Sequence, residues 1–345
     1  MVGFSHGFND IFHVYAAHPE GTPSMRDIAF NRASDCHSNL IRFQCDWPLV
    51  QYDSESVYHW TIPGYFDWDA TRTACLQRNM KVLPIITGVP TAWVPRADRT
   101  PCNFAAVPGS ASEDANIPWY PSTAASQAKF GQYAVEVLKF FDQCGTIDAI
   151  EVWNEPNGGA TYIPFWVYPQ IVAAVVNAVA AANAANQFSH PMRVVAGALV
   201  MDQDDVWKTY LSYFDSLALD FDVSIHPYDT KDHPTLDWDE AADAVVDRVS
   251  YLYNQAAAQT VRNLWVTESG ASSRSPYGQQ GQARALKRLY GSSGFFQGRA
   301  RCKAALVHKL RGSDNLSGFK AFPVCMDDAP WTPKTAYYDL QSAWL

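Results

Sequence analysis

Short apolar runs alternate with longer segments of helical periodicity from one end of this 345-residue chain to the other. The runs have the length and composition of buried strands, and the segments between them place apolar residues at the three- and four-residue spacing of amphipathic helices. We predict strands at Gly3–His6, Asn39–Phe43, Lys81–Ile86, Ile147–Trp153, Val194–Leu199, Phe221–His226, Leu264–Glu268 and Gly318–Phe322. We predict helices at Met25–Cys36, Asp67–Asn79, Ala124–Gln143, Val167–Asn186, Asp204–Leu217, Glu240–Ala257, Gly281–Leu310 with a break near Gly291–Gly294, and Thr335–Trp344.

The number and order of these units indicate the fold. Strands that alternate with helices form parallel sheets, and eight such units in one chain are typical of an α/β fold of the (β/α)8 or TIM barrel type. Because no linker, repeat or low-complexity segment interrupts the pattern, we predict a single domain over residues 1–345. The active site of such a barrel lies at the C-terminal ends of the strands. We expect the long segment Val89–Pro121 to wall one side of a cleft there.

Composition and charge narrow the classes of partner. Hydrophobic residues make up 48% of the chain and charged residues 18%, as in folded globular proteins. A net charge of −9 disfavours binding to nucleic acid or to an anionic membrane, and we predict neither partner. The most apolar segment, Ile171–Ala185, is too short to cross a bilayer. Aromatic residues reach 14%, which suits a sugar-binding cleft as well as plain core packing.

The cysteines do not have metal-ligand spacing. All seven are scattered, without a Cys-x-x-Cys pair or a Cys/His cluster, so we predict no metal and no cofactor. Cys36 with Cys75 and Cys45 with Cys102 could form disulfides if the protein is exported. The N-terminal segment lacks the apolar run of a signal peptide. We expect a domain trimmed from a protein that is secreted or attached to a cell or virion surface, while a cytoplasmic location stays open.

Two of the predicted strands end in glutamate. The fourth reads Ile-Glu-Val-Trp-Asn-Glu-Pro from residue 150 to 156, and alternation places Glu151 and Glu155 on the same face. Glu155 lies at the C-terminal end, where barrel chemistry takes place, whereas Glu151 lies deeper and could pair with a buried base or stabilise the barrel. The seventh strand ends in Glu268. The two strand ends therefore place Glu155 and Glu268 at the same opening.

Two convergent carboxyl groups are what acetal hydrolysis requires. One donates a proton to the leaving oxygen, while the other attacks the anomeric carbon or activates water. Burial and mutual repulsion would keep one carboxyl protonated near neutral pH and leave the other ionised. Glu155 and Glu268 therefore predict a glycosidase.

The Trp-Asn-Glu-Pro motif at residues 153–156 and the Thr-Glu-Ser-Gly motif at residues 267–270 resemble those of clan A glycoside hydrolases. The chain is nearest in texture to family 39 and its bacterial and phage relatives. This resemblance implies a retaining mechanism in which Glu155 is the acid/base and Glu268 is the nucleophile. It also implies that the two carboxyl groups lie about 5–5.5 Å apart.

The resemblance implies roles for further residues. Asn154 would hydrogen-bond the sugar 2-hydroxyl, and His226 and Tyr228 would orient the two glutamates. Arg42 would keep the nucleophile ionised and aligned. Structural roles stay open as well, since Asn154 could form a turn, His226 could be a buried structural histidine, and Arg42 could pair with Asp46.

The match to the clan is looser in the loops. Many members carry a tryptophan at the end of strand eight, where this chain has Phe-Pro-Val at residues 322–324. Trp331 in the following loop is our candidate to replace it. Trp93, after strand three, is a further candidate for stacking on a sugar face, although core packing would also explain it.

Taken together, these features predict a retaining hydrolase of O-glycosidic bonds in a polysaccharide or oligosaccharide. We expect endo action, because the third loop is long and aromatic residues follow several strands. The alternatives are exo-acting hydrolysis, transglycosylation on the same site, and a catalytically silent carbohydrate-binding barrel. Carbohydrate is the one partner that the sequence indicates, and the oligomeric state stays open.

Overall fold

The computed structural model describes residues 1–5, 25–62, 66–102, 118–158, 161–201, 205–229, 235–272, 278–308 and 333–344. Eight parallel strands close into a barrel, in which neighbours in the chain are neighbours in the sheet and the first strand pairs with the last. The strands are β1 (Val2–Ser5), β2 (Leu40–Gln44), β3 (Lys81–Ile86), β4 (Ala149–Val152), β5 (Arg193–Val200), β6 (Asp222–His226), β7 (Leu264–Ser269) and β8 (Cys302–His308). The prediction of a (β/α)8 barrel is confirmed.

One main helix follows each barrel strand. These helices are α1 (Met25–Asp35), α2 (Trp68–Gln77), α3 (Ala124–Asp142), α4 (Tyr168–Ala184), α5 (Val206–Ser216), α6 (Trp238–Gln259), α7 (Gly278–Tyr290) and α8 (Thr335–Ala343). Two of them begin in a capping box, formed by Thr123 with Ser126 at α3 and by Asp237 with Glu240 at α6. Each box supplies partners for backbone N–H groups that the first turn leaves unpaired.

The interior of the barrel changes from apolar to charged along the strands. Its apolar layer consists of Leu40, Leu83, Ala149, Val195, Trp265, Ala304 and Leu306. Two residues further along the same inward faces, β2, β4 and β7 carry Arg42, Glu151 and Thr267, all of them buried. A layer of buried charged and polar side chains on β2, β4 and β7 therefore lies directly above this apolar layer, towards the C-terminal mouth.

A second and larger apolar cluster lies between the barrel and its helices. Within this layer α3 and α4 approach each other closely at Gly131. A Cβ atom at that position would lie 2.8 Å from the carbonyl oxygen of Ala174. Glycine is therefore required there for the two helices to keep their spacing.

The eighth strand differs from its prediction. It is formed by Cys302–His308, which pairs with β1 and β7. The predicted strand Gly318–Phe322 lies outside the described residues. The predicted helix Gly281–Leu310 is wrong beyond Tyr290, where α7 ends. A short buried apolar run such as residues 304–307 fits a helix or a strand, so periodicity alone could not decide between them.

The long segment after β3 contains structure of its own. A 3₁₀ turn at Arg96–Asp98 leads into the strand Arg99–Pro101, which pairs with Trp119–Pro121 in an antiparallel hairpin. A second small hairpin joins Thr61–Ile62 to Phe66–Asp67 after β2. Both hairpins follow the C-terminal ends of barrel strands and therefore lie on the side of the mouth.

The two disulfides that the sequence allowed are not formed. The Cys36 thiol donates to the carbonyl oxygen of Tyr337 at 3.6 Å. Cys45 Sγ lies 3.5 Å from the Tyr133 hydroxyl, and Cys102 is a buried free thiol. Among the helices of the described ranges, none is long and apolar enough to cross a membrane.

Candidate active site

Glu155 lies on a strained turn just after β4. The strand ends at Val152, and both Trp153 and Glu155 adopt left-handed backbone conformations, with φ of 70° and 50°. Residues with a Cβ atom rarely adopt this conformation unless the surroundings hold them in it. Trp153 is held in this way, because its backbone N–H donates to the carbonyl oxygen of Ile86 at 2.9 Å and its indole N–H to that of Thr161 at 3.1 Å.

The segment after Glu155 folds back and fixes its backbone. The Gly158 N–H and the Thr161 hydroxyl both donate to the Glu155 carbonyl oxygen at 2.8 Å. The side chain of Asn157 ties the segment to the end of β5, since it accepts from the Val200 N–H at 3.0 Å and donates to the Val200 carbonyl oxygen at 2.8 Å. The position of Glu155 is therefore set by backbone contacts, which leave its carboxyl group available for chemistry.

Glu268 is carried by β7 itself and is more enclosed. Its Oε1 accepts from Arg42 Nη1 at 2.5 Å and its Oε2 from the Tyr228 hydroxyl at 3.0 Å. Nδ1 of His308, the last residue of β8, lies 3.5 Å from Oε2. Only 13% of the Glu268 side chain is exposed. Donors hold both oxygens, so the carboxylate has a fixed orientation.

Arg42 links three side chains at and just below the barrel mouth. Its Nε donates to Glu151 Oε2 at 2.5 Å, its Nη1 to Glu268, and its Nη2 to Asn154 Oδ1 at 2.7 Å. The planar guanidinium presents these donors in a fixed fork. Arg42 makes these contacts in place of the alternative pairing with Asp46. Since Asn154 accepts through its oxygen, its amide nitrogen points away from Arg42 as a donor.

His226, the last residue of β6, contacts the other carboxyl group. Its Nδ1 lies 2.9 Å from Glu155 Oε1, and its Nε2 lies 3.2 Å from the Thr267 hydroxyl. The ring is fully buried. One oxygen of Glu155, one oxygen of Glu268 and one nitrogen of His226 all lie within 4.8 Å of one another. The imidazole therefore stands beside both carboxyl groups.

The charges around Glu268 decide its protonation state. Burial alone would raise the pKa of this carboxyl. The charges that His226 and His308 carry when protonated, together with the fixed charge of Arg42, outweigh burial. Together with the Tyr228 hydrogen bond, they hold the pKa of Glu268 well below its usual range. Burial and the nearby Glu268 charge raise the pKa of Tyr228 well above its usual range, so its hydroxyl remains a donor.

Two residues near the carboxyl pair were absent from the predicted site. His308 was missed because the eighth strand was predicted at Gly318–Phe322, and residue 308 fell within the predicted helix Gly281–Leu310. Thr267 precedes Glu268 and looked like an ordinary strand residue. A signal for it did exist, because alternation along β7 puts it on the same inward face as Trp265. His308 on β8 lies beside Glu268 of β7, and Thr267 on β7 contacts His226 of β6, so both contacts join different strands.

The two tryptophan candidates have different outcomes. Trp93 is half-buried, and its indole N–H donates to the carbonyl oxygen of Gln51 at 2.7 Å. Its ring meets Trp47 edge-on at 5.5 Å, and Lys129 Nζ lies 5.4 Å from the ring centroid. These contacts favour packing of the loop after β3 over stacking on a sugar. Trp331 lies outside the described residues.

Glu155, His226 and Glu268 have a spacing that a metal ion could use. However, Arg42 already lies 2.5 Å from a Glu268 oxygen, and its fixed positive charge would repel a cation at that carboxylate. The close contact between Glu155 and His226 also occupies the ligand atoms of both residues. This donor set suits proton transfer and nucleophilic attack better than metal binding.

Solved structures match this chain over its whole length. A family 39 glycoside hydrolase from Bacteroides cellulosilyticus superposes with a TM-score of 0.58 at 17% identity, over 100% of this chain and 63% of that one. A β-glucuronidase from an uncultured Clostridium species gives 0.56 at 11% identity, over 99% and 50%. An endo-β-1,4-glucanase from Xanthomonas axonopodis pv. citri gives 0.58 at 12% identity, over 99% and 98%.

The protein called XacCel5A, solved in complex with cellopentaose, gives a TM-score of 0.60 at 12% identity, over 99% of this chain and 98% of that one. No protein-family model and no curated protein matches the sequence. This chain spans 63% and 50% of the family 39 enzyme and the glucuronidase, so it corresponds to only part of those proteins. The similar structures confirm the resemblance to clan A glycosidases at the level of the fold, and the chain has their barrel.

Proposed function

We propose that this chain is a retaining glycoside hydrolase that cleaves O-glycosidic bonds by double displacement. Glu155 is the acid/base and Glu268 the nucleophile. The observation that carries the proposal is the pair of carboxyl groups at the barrel mouth, with oxygens within 4.8 Å of each other. Retaining enzymes hold this pair about 5–5.5 Å apart, whereas inverting enzymes leave about 6.5–9.5 Å for a water molecule. The narrow gap supports direct attack by a carboxylate.

In the first step, Glu268 Oε attacks the anomeric carbon while Glu155 gives its proton to the glycosidic oxygen. A glycosyl ester forms at Glu268, and the bond to the aglycone breaks. Arg42 and Tyr228 hold the attacking carboxylate in one orientation and keep it ionised. Asn154 donates its amide hydrogen to the sugar 2-hydroxyl, and its contact with Arg42 through Oδ1 supports this role.

In the second step, water enters where the aglycone left. The Glu155 carboxylate takes a proton from this water as its oxygen attacks the anomeric carbon, and Glu268 leaves as a carboxylate. Two inversions restore the original configuration. His226 Nδ1 lies 2.9 Å from Glu155 Oε1, beside the carboxyl group that carries out both proton transfers.

The proposal is tested with Glu268→Gln and with a matched surface control, Glu136→Gln, which removes only an exposed pair with Lys139. Both variants and the unmodified protein are assayed on a panel of bacterial and plant polysaccharides. We expect Glu268→Gln to lose activity by about 10⁴-fold or more while its circular dichroism stays unchanged, because the covalent step loses its nucleophile. Undiminished hydrolysis by Glu268→Gln would refute the proposal.

We further propose that the substrate is a polysaccharide or oligosaccharide cleaved internally. The exposed side chains of Trp166 and Trp238, 54% and 46% accessible, support this proposal. They lie at or next to the first turns of α4 and α6, on the same end of the barrel as the carboxyl pair, where they can stack on sugars beyond the scissile bond. Chain-length analysis of early products tests it, since release of monosaccharide alone would indicate exo action.

We propose a secreted or surface-attached protein, because many structural polysaccharides lie outside the cell. Fractionation of the native host with an antibody to this domain tests the location. Recovery in the soluble cytoplasmic fraction alone would contradict it.

A further inference from the structure

A continuous chain of buried contacts joins the two carboxyl groups beneath the mouth. It runs from Glu155 to His226 Nδ1 at 2.9 Å, and from His226 Nε2 to the Thr267 hydroxyl at 3.2 Å. It continues from Thr267 to Glu151 Oε1 at 2.8 Å, and from Glu151 Oε2 to Arg42 Nε at 2.5 Å. Arg42 then reaches the nucleophile. Thr267 and Glu151 therefore lie between the two proposed catalytic groups without touching the space a substrate would occupy.

The direction of each hydrogen bond in this chain follows from a count of donors. Glu151 is paired with the Arg42 guanidinium and is fully buried, so its two oxygens act only as acceptors. Thr267 has one hydroxyl hydrogen, and Glu151 is the acceptor that requires it. The Thr267 oxygen can therefore only accept from His226. Consequently the hydrogen in that contact belongs to His226 Nε2.

We infer that Thr267 and Glu151 are positioning residues that hold His226 in the Nε2–H form and turn a bare Nδ1 towards Glu155. Neutral imidazole carries one hydrogen, and the Thr267 contact takes it. A hydrogen bond between Nδ1 and Glu155 then requires a proton that comes from the Glu155 carboxyl or from a protonated ring. The neutral histidine can therefore accept a hydrogen from the Glu155 carboxyl but cannot donate one to it.

For catalysis, this inference rests on the proposed function. Glu155 must hold a proton before the first step and must regain one in the second. Once Glu155 has given its proton to the aglycone, its carboxylate faces the lone pair of Nδ1 at 2.9 Å. That arrangement is unfavourable, because two acceptors oppose each other. Transfer of a proton from the incoming water to Glu155 removes this opposition, so the lock on the tautomer assists the second step.

Other groups also face His226. Glu268 Oε2 lies 3.8 Å from Nδ1, whereas Thr267 contacts the other ring nitrogen, Nε2. The Tyr228 ring, from the loop after β6, lies 6.3 Å from the imidazole centroid, edge-on. The Nε2–H bond is retained whether or not Nδ1 also carries a proton. The inference therefore concerns Nε2 at every pH at which the protein is folded.

Nitrogen-15 spectroscopy of the labelled histidine ring in the unmodified protein gives the first test. It needs no substrate, so it can fail or succeed independently of the proposed function. We expect His226 Nε2 to carry a proton at every pH at which the protein is folded. A bare Nε2 at any pH with an intact fold would overturn the inference.

Glu151→Gln gives a sharper test, because it should reverse the direction of the hydrogen bonds between residue 151, Thr267 and His226. Arg42 needs an acceptor, so the glutamine oxygen should face Arg42 and its amide nitrogen should face Thr267. Thr267 then accepts from the amide and donates to His226 Nε2. We expect neutral His226 to switch to the Nδ1–H form, and retention of the Nε2–H form in a folded Glu151→Gln protein would contradict the inference.

Thr267→Val and Thr267→Ser form a matched pair that connects the tautomer to activity. Valine has the same shape but no hydroxyl, so Nδ1–H becomes accessible and can donate to the ionised Glu155. We expect the basic limb of the kcat/KM profile to move to lower pH by about one unit in Thr267→Val, a shift that corresponds to one hydrogen bond to a charged group. Serine should keep the limb in its original place. A limb that moves equally in both variants, or in neither, would show that Thr267 has only a packing role.

Discussion

Glu155 and Glu268 are the same residue type at the same barrel mouth, yet their surroundings differ. Glu268 is part of β7, is 13% exposed, and has Arg42, Tyr228 and His308 around its oxygens. Glu155 lies on a left-handed turn beyond β4, is 31% exposed, and has one titratable ring against its carboxyl group. The difference shows how a fold assigns two roles to two carboxyl groups.

The number of nearby cations is what separates them. Around Glu268, positive charge outweighs burial and lowers the pKa, so the group is a carboxylate that can attack carbon. Around Glu155, the imidazole of His226 can give or take a proton, which is what an acid/base requires. Each of the following changes is aimed at one side of this difference.

Glu155→Gln should have the largest effect on natural substrates. Without the proton donor, the first step fails for a sugar leaving group, and we expect kcat/KM on the polysaccharide to fall by about 10²–10⁴-fold. An aryl glycoside with an acidic phenol needs no such proton, so its first step should be nearly unchanged. Product release from the polysaccharide measures the first effect, and a burst assay of phenol release from the aryl glycoside measures the second. Equal losses on the two substrates would remove the distinction between the carboxyl groups.

Arg42→Lys keeps the charge but loses the fork that reaches three side chains. We expect kcat to fall by about 10²-fold, comparable to loss of one electrostatic donor. The free energy of unfolding should also fall by about 3 kcal/mol, because Glu151 loses its buried partner. Steady-state kinetics and urea unfolding measure the two effects. Arg78→Lys, whose guanidinium contacts Asn31 at the surface, is the control and should change neither quantity.

Tyr228→Phe removes one donor from Glu268 Oε2 and leaves Arg42 in place. We expect kcat to fall by about tenfold, since a hydrogen bond to a charged group is worth about 1.5–3 kcal/mol and the phenyl ring preserves the packing. The melting temperature should stay within a few degrees. A wild-type kcat would mean that Arg42 alone orients the nucleophile.

Asp46 provides the reverse case, a carboxyl group near the mouth whose pKa is set mainly by burial. Burial raises its pKa to about 6, although the Thr87 hydrogen bond opposes the shift. The folded protein therefore keeps a proton that the unfolded chain releases between its usual pKa and about 6. Stability from this group is complete at lower pH and is lost as pH rises through that window.

Asp46→Asn cannot titrate, so its free energy of unfolding should depend less on pH between pH 4 and 7 than that of the unmodified protein. The difference between the two proteins should change by at most about 3 kcal/mol over this range. Urea unfolding at several pH values measures it. Parallel curves would show that Asp46 has no raised pKa.

Much of the fold and part of the site were predictable because their signals are local. The motifs around Glu155 and Glu268 end strands in a recognisable way, and position along the fourth strand separated the deeper Glu151 from Glu155 at the mouth. The (β/α)8 barrel followed from the order of the strands and helices. These features depend on residues close together in the sequence.

The remainder depended on contacts between distant strands. The apolar run of β8 has no helix or strand period of its own, so its pairing with β1 and β7 had to define it, and His308 was lost with it. The left-handed conformation of Trp153 also could not be predicted from the local sequence, because the hydrogen bonds that stabilise it go to Ile86 and Thr161. Likewise, the role of Thr267 follows from a hydrogen-bond direction that only the assembled barrel defines.

The most direct measurement is mass spectrometry of Glu155→Gln after reaction with an activated aryl glycoside of the sugar found in the polysaccharide screen. This variant can complete the first step but has lost the base for the second, so a covalent glycosyl-enzyme should accumulate. We predict that peptide mapping will find one added sugar on the peptide containing Glu268. Sugar attached to another residue, or release of product with inverted configuration and no adduct, would contradict the assignment of Glu268 as the nucleophile.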